Sequence, residues 1–144
     1  MIYLDTSVAL AQLLGEDRAP PETLWQEELV SSRLLEYELW VRIHARGLGG
    51  SHHEGVRQLL SRVAFIEMAP PVLERALEPF PVAVRTLDAL HLASVQFLIE
   101  RGQKVALATY DGRLAAAARK LSVPLVDLMG GPARSPRARS RRPR

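Results

Sequence analysis

The chain of 144 residues predicts an α/β protein of three layers, α/β/α, in which helices cover both faces of a central, mainly parallel sheet of four to five strands. Short apolar runs typical of buried strands alternate with longer segments whose apolar residues recur at helical spacing. The length suits one domain with one core, and 47% apolar with 24% charged residues is ordinary for a folded domain.

Capping residues and glycines divide the first half of the chain into elements. Asp5, with the hydroxyl residues after it, can cap a helix that Gly15 ends. Apolar side chains spaced by three and four indicate the helix that Gly47 stops. The predicted elements are a strand at Ile2–Leu4, a helix at Val8–Leu14, a short helix at Glu22–Glu28, a strand at Leu29–Ser32, and helices at Leu34–Arg46 and His52–Ser61.

The second half continues the alternation. Pro70 and Pro71 suit the first turn of a helix. Thr86 is predicted to cap a long helix that Gly102 ends. The predicted elements are strands at Val63–Met68, Val105–Ala108 and Val123–Leu128, and helices at Val72–Leu77, Thr86–Arg101 and Arg113–Leu121.

The formal net charge of +3 is unevenly distributed. Residues 132–144 hold six arginines and no acid, so residues 1–131 carry 19 − 6 = 13 basic and 16 acidic groups, a net charge of −3. We therefore expect a folded domain over residues 1–129 and a disordered, arginine-rich tail over residues 130–144. Arginines neutralise phosphates, so the tail could contribute to binding a nucleic acid. The alternative is an extension without a selected function.

Several classes of protein are excluded. The chain has no cysteine, which excludes disulfides, thiolate zinc sites and cysteine nucleophiles and fits a reducing compartment. It has no apolar run near the ~18–20 residues that a membrane span needs. Its start is a strand pattern with an acid at position 5, which is not a signal peptide. We expect a cytoplasmic protein without a membrane partner.

Four acidic residues stand where an α/β fold gathers ligands. Asp5 and Asp111 follow predicted strands, Asp88 lies in the first turn of a helix, and Glu38 lies one turn into the helix after the second strand. Ligands of open α/β sheets bind beyond the carboxyl ends of the strands. We therefore expect these acids to converge at that edge.

Converging acids need a cation. Two carboxylates ~4 Å apart repel by about 4 kcal/mol at an effective dielectric near 20. A site of carboxylates without thiolates suits Mg²⁺ or Mn²⁺ better than zinc. A bound divalent ion makes water a better nucleophile and can stabilise a leaving oxygen. The acids therefore predict a Mg²⁺ or Mn²⁺ site and phosphate-ester chemistry.

Each residue also has a simpler explanation. Asp5 and Asp111 are ordinary helix caps, Asp88 can complement a helix dipole, and a lone Glu38 can be solvated. Glu36 competes with Glu38, because about 200° of helix separates them and only one can face the site. Three further residues have two explanations each. Ser7 and Thr109 could support a carboxylate or cap the backbone, and His91 could orient an acid or pack in the core.

Four segments, in this order, resemble the PIN-domain nucleases and, among them, the VapC-type toxins of bacterial toxin–antitoxin systems. They are Leu4–Ser7, Ser32–Glu38, Leu87–Ala93 and Thr109–Asp111. The similarity covers about residues 1–128, and its most specific parts begin at Asp88 and at Thr109. The family pattern places its helical glutamate six residues after the position of Ser32, which selects Glu38 over Glu36.

The resemblance implies a PIN-like nuclease domain and an endoribonuclease that depends on Mg²⁺ or Mn²⁺. Asp5, Glu38, Asp88 and Asp111 would be its catalytic and metal-binding acids, with Thr109 assisting. It also implies RNA as substrate, a VapB-like antitoxin as partner and a homodimer. Two other classes stay open: a PIN-like module that binds RNA or protein without cutting, and an aspartyl-phosphate enzyme built on Asp5. Ser7 stands where the latter usually has a second aspartate.

Overall fold

The computed structural model describes residues 1–129, and its sheet has four parallel strands in the order β3-β2-β1-β4. The strands are β1 (Ile2–Leu4), β2 (Leu29–Ser32), β3 (Val63–Ile66) and β4 (Ala106–Ala108). In register, Ile2 lies opposite Leu29 on one side and Ala106 on the other. The predicted parallel sheet is confirmed.

Six α-helices and one 3₁₀ helix surround the sheet in residues 1–129. The α-helices are α1 (Thr6–Leu14), α2 (Leu34–Ala45), α3 (Gly49–Leu60), α4 (Pro70–Leu77), α5 (Thr86–Glu100) and α6 (Gly112–Lys120). The 3₁₀ helix spans Glu22–Gln26. Within residues 1–129 no helix is both long and apolar enough to cross a membrane.

Neighbouring residues of each strand point into two separate cores, as side-chain alternation in a strand requires. On one face Leu4 packs with α1, α2 and α3 through side chains such as Val8, Leu39 and Val56. On the other face Tyr3 packs with α5 and α6, where Leu92 and Leu114 are buried. The three-layer α/β/α prediction is confirmed.

The chain reverses direction across the sheet at β1. From β1 it moves outward to β2 and then β3, and it returns to place β4 on the opposite side of β1. The backbone N–H of Asp5 donates to the Ala108 carbonyl at 3.0 Å. This hydrogen bond joins the end of β1 to the end of β4. Such a reversal opens a crevice beyond the carboxyl ends of β1 and β4.

Two aspartates cap the helices that begin at this crevice. The Asp5 side chain accepts from the Ser7 N–H and caps α1, which ends at Gly15 with φ of 59°. The Asp111 side chain accepts from the N–H groups of Arg113 and Leu114 and caps α6. Glycine tolerates the left-handed conformation at the end of α1 because it has no Cβ.

Two predicted features differ from the structure. Val123–Leu128 forms no named strand and contributes one bridge, between Leu125 and Leu107. Two backbone hydrogen bonds join this segment to Leu107, and Pro124 has no N–H that could extend them. Thr86 is the first residue of α5 and not its cap; Arg85 precedes the helix without a capping side-chain bond. The predicted tail, residues 130–144, lies outside the described residues.

Candidate active site

One cavity of about 580 Å³ opens at the crevice between β1 and β4. All four predicted acids line it, although they come from four remote segments of the chain: Asp5, Glu38, Asp88 and Asp111. Thr109 is not a lining residue, but it contacts Asp5 from beneath. The four acids therefore lie around one cavity at the edge of the sheet where their convergence is expected.

Asp5 is the most buried of the acids, with 6% of its surface exposed. Its Oδ2 accepts from the Ser7 hydroxyl at 2.5 Å, from the Thr109 hydroxyl at 2.8 Å and from the Ser7 N–H at 3.3 Å. No hydrogen bond from residues 1–129 reaches Oδ1. These donors orient the carboxylate, and they leave Oδ1 available to a ligand in the cavity.

Ser7 and Thr109 support the carboxylate and the backbone together. The Ser7 hydroxyl accepts from the Tyr110 N–H at 2.9 Å, and the Thr109 hydroxyl accepts from the Asp111 N–H at 3.0 Å. A hydroxyl group can donate once and accept twice. Ser7 and Thr109 therefore both support a carboxylate and cap the backbone. The same hydrogen bonds fix the loop after β4 to the end of β1.

Asp88 and Asp111 share one cation, the guanidinium of Arg85. Its Nε donates to Asp88 Oδ2 at 2.9 Å, and its Nη2 donates to Asp111 Oδ2. Burial raises the pKa of Asp88; Arg85 partly opposes this rise, and the charges of Asp111 and Asp5 add to it. The charges of Asp111 and Asp5 thus act on Asp88 in the direction expected of neighbouring carboxylates, although burial is the larger cause of its raised pKa.

His91 holds Glu38 from the core. Its Nε2 donates to Glu38 Oε1 at 2.5 Å, since an ionised carboxylate can only accept. Its Nδ1 lies 2.8 Å from the Tyr3 hydroxyl, which also accepts from the Ser32 N–H at 3.1 Å. Burial lowers the pKa of His91, but Tyr3, Glu38 and Asp5 outweigh it and raise the pKa to about 10. His91 is both a packed core residue and the residue that orients Glu38.

Glu36 lies outside the cavity. It pairs with Arg33 at 3.4 Å on the protein surface, and 43% of its side chain is exposed. Glu38 faces the cavity instead. The helical pattern of α2 does not decide which of these two glutamates faces the site. In the structure only Glu38 lies near the other acids.

The donor atoms suit a hard divalent cation, because they are carboxylate oxygens supported by hydroxyl groups. As the side chains stand, no three acids or histidines in residues 1–129 are close enough to bind one ion together. Two of the acids turn to Arg85. The residue types therefore fit Mg²⁺ or Mn²⁺, and a guanidinium provides the positive charge between Asp88 and Asp111.

The cavity also contains four arginines that are not among the predicted site residues; they are Arg18, Arg42, Arg46 and Arg85. The spacing contained a signal for three of them. Arg42 and Arg46 follow Glu38 at intervals of four, which places them on one helical face. Arg85 precedes Asp88 by three residues. Counting net charge over residues 1–131 hides this local group, since the acids elsewhere outnumber it.

The matching family model and two similar relatives point to the same protein family. Residues 2–120 match the sequence model of the family described as PIN domain. Ribonuclease VapC47 of Mycobacterium tuberculosis is 30% identical over 128 residues, covering 84% of this chain and 92% of the relative. Ribonuclease VapC35 of the same species is 32% identical over 131 residues, covering 88% and 96%.

Two solved structures share the fold. Mycobacterium tuberculosis VapC20, described as a toxin that cleaves the sarcin–ricin loop, superposes with a TM-score of 0.62 at 20% identity and covers 81% of this chain and 95% of its own. PAE2754 from Pyrobaculum aerophilum superposes with a TM-score of 0.57 at 19% identity, covering 89% and 90%. From the family match and these ribonuclease relatives, the chain belongs to the PIN domain family, among members named ribonuclease VapC.

Proposed function

We propose that this protein is an endoribonuclease that depends on Mg²⁺ or Mn²⁺ and acts as the toxin of a VapBC-type toxin–antitoxin pair. The observation that carries the proposal is the gathering of Asp5, Glu38, Asp88 and Asp111 in one cavity. In a PIN-domain chain whose relatives are named ribonucleases, this cavity is the place for phosphodiester hydrolysis.

Each acid has its own task in the proposed mechanism. Asp5, through its free Oδ1, would hold the ion together with Asp88, Asp111 and Glu38. When bound, the ion would supply an activated water and offset the charge that develops on the phosphate. Ser7 and Thr109 orient Asp5, and His91 orients Glu38.

The arginines supply the complementary charge for a nucleic acid. Arg18, Arg42 and Arg46 line the cavity beside the acids. In residues 1–129 none of the three forms a salt bridge, so their charge is available to phosphates. An RNA backbone would lie along these arginines and bring one phosphate to the acids.

A matched pair of variants on α2 tests the site. We expect the purified protein to cleave RNA with Mg²⁺ or Mn²⁺ and to be silent in EDTA. Asp5→Asn and Glu38→Gln should each lower the cleavage rate on the order of 10²-fold or more, since each removes a charge that would hold the ion. Glu36→Gln, which changes the same chemical group outside the cavity, should cleave at the rate of the unmodified protein.

Two results would contradict the proposal. Full cleavage by Asp5→Asn would show that the acids are not the catalytic group. Tight RNA binding with no turnover in any divalent metal would favour the alternative of a PIN-like module that binds without cutting.

The remaining proposals concern the protein partners and the cellular compartment. The VapC names of the relatives support a VapB-like antitoxin as partner. The proposed homodimer is supported by exposed apolar side chains on α2 and on α4; they are Tyr37, Val41, Leu73 and Leu77. An RNA substrate and a chain without cysteine support the cytoplasm. Light scattering on the chain, alone and with the antitoxin, measures both assemblies.

A further inference from the structure

Arg85 bridges two acids that come from different elements. It stands directly before α5, contacts Asp88 in the first turn of that helix, and also contacts Asp111 in the loop after β4. The arginine side chain is 58% exposed, whereas Asp88 is 13% and Asp111 is 25% exposed. The guanidinium therefore covers the two carboxylates from the open side of the cavity.

The geometry of Asp111 makes this contact decisive. Its Oδ1 already accepts from the N–H groups of Arg113 at 2.9 Å and Leu114 at 3.2 Å, as the cap of α6. Only Oδ2 is left to face a cation in the cavity, and Arg85 donates to that oxygen. On Asp88, too, the oxygen that Arg85 contacts is Oδ2. A divalent ion that binds these oxygens directly therefore competes with the guanidinium for them.

We propose that Arg85 and the divalent ion compete for Asp88 and Asp111. In the metal-free protein Arg85 holds the two carboxylates together against their repulsion, and it gives way when the ion binds. The inference rests on the proposed metal site and adds a residue of the chain that sets the affinity of that site.

Arg85 differs in this respect from the other arginines of the cavity. Arg42 lines the same cavity and carries the same charge, but among residues 1–129 it forms no salt bridge with an acid. Arg42→Gln therefore removes a positive charge from the surroundings without freeing a carboxylate. It is the matched control that separates competition at the oxygens from a general electrostatic effect.

The test measures Mn²⁺ binding and metal-free stability, independently of RNA cleavage. Titration followed by electron paramagnetic resonance should show that Arg85→Gln binds Mn²⁺ about three- to tenfold more tightly than the unmodified protein. Arg42→Gln should shift the affinity less than Arg85→Gln does. In EDTA, Arg85→Gln should melt at a lower temperature, and saturating Mn²⁺ should remove the difference because the ion then takes over the role of Arg85.

Arg85→Lys provides a second measurement if the glutamine variant folds poorly. A lysine keeps the charge but has no planar fork to reach two carboxylates, so its Mn²⁺ affinity should fall between those of the arginine and glutamine proteins. Equal Mn²⁺ affinity for all three residues at position 85, or an equal melting difference with and without Mn²⁺, would overturn the inference. If Asp88→Asn still lost Mn²⁺ binding, the proposed nuclease site would stand. Failure of the unmodified protein to bind Mn²⁺ would overturn both.

Discussion

Two aspartates of the cavity divide their oxygens between structure and site. Asp5 uses Oδ2 for the Ser7 and Thr109 donors, and its Oδ1 receives no hydrogen bond from residues 1–129. Asp111 uses Oδ1 to cap α6, and its Oδ2 contacts Arg85 in the cavity. A carboxylate has about four acceptor positions, so one side chain can cap a helix and bind a ligand at once. Capping and site chemistry, which are alternatives when the sequence is considered alone, coexist at the level of single atoms.

Asp88 provides a prediction at this scale, because its charge is costly until a cation is bound. Burial is the main cause of its raised pKa, and a raised carboxyl pKa means that the ionised form opposes folding near neutral pH. Asp88→Asn should therefore raise the melting temperature in EDTA at pH 7, because it removes a charge whose burial opposes folding. In saturating Mn²⁺ the sign should reverse, since the variant has lost an ion ligand.

Asp17→Asn is the control for this experiment, because Asp17 is exposed and does not line the cavity. Its melting temperature should not change in either condition. A lower melting temperature of Asp88→Asn in EDTA would contradict a crowded group of acids and would instead give the contact with Arg85 the larger weight.

At the scale of elements, one chain of hydrogen bonds connects β2, β1, α5 and α2. It runs from the Ser32 N–H to the Tyr3 hydroxyl, from there to His91, and from His91 to Glu38. Tyr3 is fully buried and His91 is 1% exposed, so these groups have no water to replace a lost partner. The position of Glu38 is therefore set by the packing of the sheet against α5.

Tyr3→Phe tests this chain of hydrogen bonds. The change removes the hydroxyl and leaves the Ser32 N–H and one His91 nitrogen without a partner, which should cost about 1–3 kcal/mol of unfolding free energy. Tyr37→Phe, at a position that is 62% exposed, should change it by less than about 0.5 kcal/mol. Urea unfolding in EDTA measures both, and equal stability of the two variants would mean that water replaces the lost hydroxyl.

The side of α2 that faces the cavity provides another prediction, because Glu38 is followed there by Arg42 and, directly after the helix, by Arg46. In the non-cleaving Asp5→Asn background, replacing both arginines by glutamine should weaken RNA binding about tenfold. The slope of log K against log salt should fall by up to ~0.7 for each arginine that touches a single-stranded phosphate. Arg57→Gln on α3, which is exposed but outside the cavity, is the control and should leave the slope unchanged.

At the scale of the whole molecule, topology assembles the site. Because β4 lies beside β1 and not beyond β3, the loops after these two strands meet, and residues about a hundred positions apart in the sequence, Ser7 and Thr109, come within 3.3 Å. The opposite faces of the same strands hold the two cores that fix their positions. The cavity is thus a consequence of strand order, and acidic and basic side chains line it.

Much of this arrangement could be predicted from the chain, and the remainder depends on contacts between remote elements. Strand ends and helix starts carry local signals, so the positions of Asp5, Asp88 and Asp111 at one edge follow from the alternation of elements. The choice of Glu38 over Glu36 does not, because α2 shows no wide gap in its apolar pattern and His91 on another helix decides it. The Arg85–Asp111 contact joins α5 to the loop after β4, and no local spacing encodes it.

At this scale charge is unevenly distributed along the sequence, because residues 130–144 contain six arginines and no acid. Every proposed site residue lies between positions 5 and 111, and the family match spans residues 2–120. A chain ending at Met129 should therefore keep its melting temperature and its metal-dependent cleavage at low salt. Its RNA affinity should be weaker, with a shallower salt dependence, because six arginines have been removed. Binding titrations from about 50 to 200 mM salt compare the two chains; a folded, truncated protein that no longer cleaves at low salt would mean that the tail takes part in the site itself.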